Sequence, residues 1–178
     1  MSVLQRDPVV ADFGQPLQLL KACHERIQAQ CDTLRRLCVH MPVHGSDAQA
    51  QQAASNVMRY FDSAGRHHRE DEEQDLFPRM IASATGQNAE RVALVIGRLK
   101  SEHVEIERSW LELREVLEQI AHGGIEPLDE QSVEQFCAMY GAHIAYEEAN
   151  MISLAEQLLD AAAIAAIGKA MAVRRGLR

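Results

Sequence analysis

Apolar positions recur along this chain at alternating steps of three and four, the repeat of helices that bury one face in a bundle. The first such run is Leu17, Leu20, His24, Ile27, Cys31, Leu34 and Cys38. It predicts a helix from near Pro16, a residue suited to a first turn, to Met41-Pro42, where a loop follows. A second seam, Val57, Phe61, Ala64, His68, Glu72 and Leu76, predicts a helix from about Asp47 to the Phe77-Pro78 region or a turn beyond. The third runs Val92, Ile96, Leu99, His103, Ile106, Trp110, Leu113, Leu117 and Ile120. It predicts a helix over about 88–122, ended by Gly123-Gly124. The fourth, opened by Pro127 and Asp129, is Val133, Phe136, Tyr140, His143, Glu147, Met151, Leu154 and Leu158. A short Ala-rich helix follows Asp160, with Arg174, Arg175 and Arg178 at the end where cations are favoured. It is expected to be a packed or solvated appendage. Loops this short between long helices imply an all-α, up-down-up-down antiparallel four-helix bundle with a short C-terminal helix. The expected organisation is one domain over 1–178, with the bundle at about 16–160 and the extra helix at about 161–175.

Polar residues interrupt these seams in a pattern of their own. His68 precedes Glu72 by four residues, and His143 precedes Glu147 by four. Residues four apart share a helix face, so each pair aims an imidazole and a carboxylate at one point. His24 and His103 stand alone on the other two seams. Counting rise along each helix, all four helices can bring these groups to one level of the bundle. Four imidazoles and two carboxylates in one core layer are costly to bury without a partner, and a pair of cations removes the cost. If both carboxylates bridge, each ion receives two nitrogens and two oxygens. That leaves room for a bridging oxide or hydroxide and an exchangeable position. Nitrogen and oxygen donors without thiolate favour two iron ions, with manganese or zinc as alternatives. The exchangeable position suits O2 or NO.

Around these six, Glu107 lies one turn past His103, as an additional ligand, an outer partner or a channel residue. Glu102, Glu73 and Glu148 could hold the outer ring nitrogens, or face solvent. His67 is offset about 100° from His68 and reads as a solvated neighbour, with an additional ligand or an outer partner of the site as the alternative. Trp110 and Tyr140 read as core or as lining for a small-ligand pocket. The rest of the acidic run Glu70–Asp75 reads as a solvated face.

Composition narrows the picture. Of 178 residues, 47% are hydrophobic and only 4% aromatic, which suits helices. A net charge of −8 argues against nucleic acid or an anionic membrane as partner. No apolar run approaches a membrane span, and the first residues lack the apolar core of a signal peptide; a cytoplasmic protein is expected. The cysteines, Cys23, Cys31, Cys38 and Cys137, form no Cys-x-x-Cys pair and are expected to be reduced thiols.

The set His24, His68-x-x-x-Glu72-Glu73-x-x-Leu76-Phe77-Pro78, Glu102-His103 and His143-x-x-x-Glu147-Glu148 resembles the hemerythrin-like HHE cation-binding family, over roughly residues 16–160. The resemblance implies a non-haem di-iron centre with an oxo or hydroxo bridge, ligated by His24, His68, Glu72, His103, His143 and Glu147. The oxygen-carrying members have His-x-x-x-His on the third helix, where this chain has Glu107, and end in His-x-x-x-x-Asp, where it has His143-x-x-x-Glu147. The His/Glu version is similar to bacterial di-iron proteins linked to nitric oxide stress and repair of iron–sulfur clusters. Three roles follow: a protein that binds or senses O2 or NO, with a redox or signalling protein as partner; an enzyme or iron donor in stress defence; and a helical scaffold that merely holds metal.

Overall fold

The computed structural model describes residues 12–177. Residues 1–11 of the lead-in and Arg178 lie outside the described residues. Five helices, and no strand among the described residues, make an all-α fold. Helix α1 is Pro16–His44, α2 spans 48–83, α3 is Gln87–Ala121, α4 spans 130–158 and α5 is Ala161–Arg174. No helix among the described residues is long and apolar enough to cross a membrane.

Local chemistry sets the ends. Asp47, Asp129 and Asp160 cap α2, α4 and α5, each carboxylate accepting from the backbone N–H three residues on. The first helix runs past the expected stop at Met41-Pro42. Pro42 lies in its final, exposed turn, where the missing N–H costs little. The turn closes at Gly45, whose φ of 64° suits glycine and whose N–H bonds to the Met41 carbonyl. Helix α2 likewise continues past Pro78 to Ser83.

Two helices are not uniformly α. Helix α2 carries π turns at Phe61–Gly65 and Asp71–Leu76, and α4 carries one at Glu147–Ile152. Each inserts an extra residue into a turn, as often happens at functional sites. The first corrects the expected seam: Gly65, not Ala64, is the buried residue there. The other two begin at or beside Glu72 and Glu147.

The core falls into two parts. One packs Ile27, Leu34, Val57, Trp110, Leu117 and Phe136. The other packs Leu20, Leu76, Met80, Leu99, Met151 and, from α5, Ile167 and Met171. Between these apolar layers lie the buried polar residues His24, His68, Glu72, His103, His143 and Glu147.

Candidate metal centre

The structure brings all six seam residues together. Ligand atoms of His24, His68, Glu72 and Glu147 lie within 4.8 Å of one another, as do those of Glu72, His103 and His143. The two groups share Glu72, and the oxygens of both carboxylates divide between them. Glu72 Oε1 is 3.2 Å from His68 Nε2, and its Oε2 is 3.1 Å from His103 Nε2. Glu147 Oε1 is 3.2 Å from His24 Nε2, and its Oε2 is 3.6 Å from His143 Nε2.

The outer nitrogens show what faces inward. His24 Nδ1 donates to Glu148 at 2.7 Å, His103 Nδ1 to Glu73 at 2.7 Å and His143 Nδ1 to Glu102 at 2.9 Å. A carboxylate only accepts, so Nδ1 carries the proton in each ring. In the neutral imidazole Nε2 then presents a lone pair. That lone pair points at a carboxylate oxygen, and two acceptors face each other in a dry core. His24 Nε2, both nitrogens of His68 and all four oxygens of Glu72 and Glu147 are buried without a hydrogen-bond partner. So many orphaned groups in one layer would be heavily destabilising. Cations seated between nitrogen and oxygen lone pairs satisfy them, and the donor set fits a pair of such ions.

Protons alone relieve the conflict only in part. Burial, with the charge of Glu147, pushes the Glu72 carboxyl well above the usual range. His24 rises above its ordinary value; burial opposes this, but the adjacent carboxylates of Glu147 and Glu148 outweigh it. Burial holds His68 down to about 3, and burial with the neighbouring His143 holds His103 down to about 4. Two rings thus stay neutral, as ligands must.

Two of the π turns carry consecutive glutamates. In each of two helices the first, Glu72 or Glu147, faces the cluster, while the second, Glu73 or Glu148, reaches behind a histidine on another helix. Glu102 is itself held by Arg98 at 2.7 Å, and the Arg98 guanidinium lies over the Tyr146 ring. Phe77 stacks on the His103 ring, at 6.3 Å and 9°.

The remaining candidates are placed otherwise. Glu107 does not join the cluster: Arg69 takes both its oxygens, at 2.6 and 3.2 Å. His67 is half-exposed and outside both ligand groups. Trp110 and Tyr140 line a cavity of about 230 Å³ that also reaches His68, His103 and His143. The acidic run is not a solvated face. Asp71 and Asp75 are buried and bound by Arg174 and Arg175 from α5. Sequence periodicity carries no trace of that pairing, because the partners lie about 100 residues apart.

Comparison with known proteins agrees with the geometry. A Haemophilus influenzae protein, itself uncharacterised, is 27% identical over 168 residues, 94% of either chain. Residues 15–155, which contain all six clustered side chains, match the hemerythrin HHE cation-binding domain, and this chain belongs to that family.

Proposed function

We propose that the chain holds two iron ions and binds a small diatomic ligand, O2 or NO, in sensing, storage or a stress response. The observation that carries this reading is the split of each carboxylate. Glu72 and Glu147 each turn one oxygen to one histidine pair and the other oxygen to the second. His24 and His68 would hold one ion, His103 and His143 the other, with Glu72 and Glu147 shared. The donors are nitrogen and hard oxygen, which rank iron ahead of zinc and manganese here. Bound iron supplies the electrons and the open position that a diatomic ligand requires.

The protein's own part is access and exclusion. The cavity touches His68, His103 and His143 but not His24, so a ligand approaches from one side of the pair. Phe61, Ile106, Trp110 and Tyr140 keep its wall largely apolar, which disfavours water and charged competitors. Burial raises the Tyr140 phenol, so its O–H stays a donor at neutral pH. The Arg69–Glu107 pair stands on the same cavity.

One observation favours a second reading, donation of iron to a damaged iron–sulfur protein. Among the described residues, His68 alone of the four ligand candidates has no partner on its outer nitrogen. It is therefore the least anchored of the rings, and the easiest to release. Metal analysis of protein from iron-replete cells, with absorption spectra in nitrogen, air and NO, tests both. The first reading expects about two irons per chain and a spectrum that reverses on deoxygenation or NO removal. Irreversible transfer of iron to an apo-cluster protein supports the second, and absence of iron uptake refutes both.

A further inference from the structure

We infer that the C-terminal helix is a clasp that fixes the bridging carboxylate Glu72, with Arg174 and Arg175 as its positioning residues. This rests on the metal-pair reading above. Helix α5 lies beyond residues 15–155, the span matched to the family.

Asp71 immediately precedes Glu72 and opens the π turn Asp71–Leu76. Its carboxylate is fully buried, and both its oxygens are engaged by arginine. Arg174 Nη1 donates to Oδ1, while Arg175 donates to Oδ2 at 2.6 Å and to Oδ1 at 3.2 Å. Arg174 also grips the far end of the turn, donating to Asp75 Oδ2 at 2.6 Å and to Gln74 at 3.3 Å. The two guanidinium groups thus hold both ends of the turn that carries Glu72. The helix bearing them is seated by Ile167 and Met171, both fully buried. It is crossed at Gly168 by the chain at Phe13, where a Cβ would fall 1.7 Å from the Phe13 carbonyl oxygen.

The clasp has a geometric task. In a π turn the backbone holds an extra residue, and in this one Glu72 faces His68 and His103 while Glu73 reaches behind His103. Returning the turn to α geometry re-phases the side chains across it, so that Glu72 and Glu73 no longer both face the partners they have here. The fork of arginine is rigid and bidentate, so it fixes the direction of Asp71 and, one residue on, that of Glu72. The π turn at Glu147–Ile152 has no such arginine pair among the described residues.

The test compares the full-length iron-loaded protein with Arg174→Gln/Arg175→Gln, with Arg174→Lys, and with Arg35→Gln, which breaks the distant Arg35–Glu134 pair. Readouts are the rate of iron loss to a chelator, the ferric absorption spectrum, and helicity by circular dichroism. The clasp predicts that the double variant loses iron at least about tenfold faster, the scale of lost outer-ligand support, with an altered spectrum at unchanged helicity. Arg174→Lys, which keeps the charge but not the fork, shifts in the same direction, and Arg35→Gln does not. Should the double variant fail to fold, Arg174→Lys decides: folded with faster loss supports the clasp, folded with wild-type loss overturns it. Iron loss and spectrum unchanged in the folded double variant also overturn it. Wild-type protein that takes up no iron overturns the metal-pair reading itself, a result distinct from a wild type that binds iron and a variant that binds it equally well.

Discussion

Replacing Glu72 by glutamine should reverse the sign of its effect on stability according to whether metal is present. Glu72 is fully buried, and neither carboxylate oxygen has a hydrogen-bond partner. Leaving such a group unsatisfied costs about 1–3 kcal/mol, more when it is charged. Glutamine has nearly the same shape, carries no charge, and brings an N–H2 that can donate to His68 or His103 Nε2, now 3.2 and 3.1 Å from the carboxylate oxygens. After metal removal the variant should therefore be the more stable protein. At about 2–4 °C per kcal/mol for a chain of this size, its melting temperature should rise by roughly 2–12 °C. The folded-state pKa of Glu72 is raised, so its favourable contribution is present below the unfolded value and lost as pH rises. The gain from glutamine should accordingly be larger at pH 8 than at pH 5. With metal the order inverts. Free metal at 1,000 times Kd stabilises the folded state by about 4 kcal/mol, roughly 8–16 °C, and the variant forfeits most of it. Thermal melts of both proteins, chelated and iron-loaded, at the two pH values measure all of this. A variant equally destabilised with and without metal would refute the reasoning, because Glu72 would then be an ordinary packing residue.

Other consequences are as direct. Glu102→Gln weakens the acceptor behind His143, and should lower metal affinity about 10- to 100-fold with helicity unchanged; competition against a chelator reads the shift. Metal affinity should rise with pH, because the raised Glu72 and His24 hold their protons to higher pH than free side chains and metal displaces those protons, while His68 and His103 are held down to about 3 and about 4; pH-independent affinity would contradict this. Arg69→Ala removes the ion pair at the cavity, and stopped-flow NO binding should quicken at equal iron content; an unchanged rate places the route elsewhere.

Much of the site was legible in the sequence because each of its six residues stands on a seam. A histidine at position 24 or 103 interrupts a run of apolar residues that the packed core requires to be continuous, and the structure places both rings in that core. The π turns were less visible, although α2 carries a trace of them. From His68 to Met80 buried residues recur in steps of four, and on a regular α-helix each such step drifts by about 40°, so extra residues had to be absorbed. The pairing of Glu73, Glu102 and Glu148 with particular histidines depends on neighbours 30 to 124 residues away. The Asp71–Arg174–Arg175 network is of the same kind. Its acids look solvated in a local reading because only a distant helix covers them.

The proposed site holds two cations side by side, shared by Glu72 and Glu147. Anomalous diffraction from crystals of iron-loaded protein would locate them. Two peaks should appear between the apolar layers, one beside His24 and His68, the other beside His103 and His143, with both carboxylates between them. A single peak there, or iron found only on surface carboxylates, would contradict that arrangement.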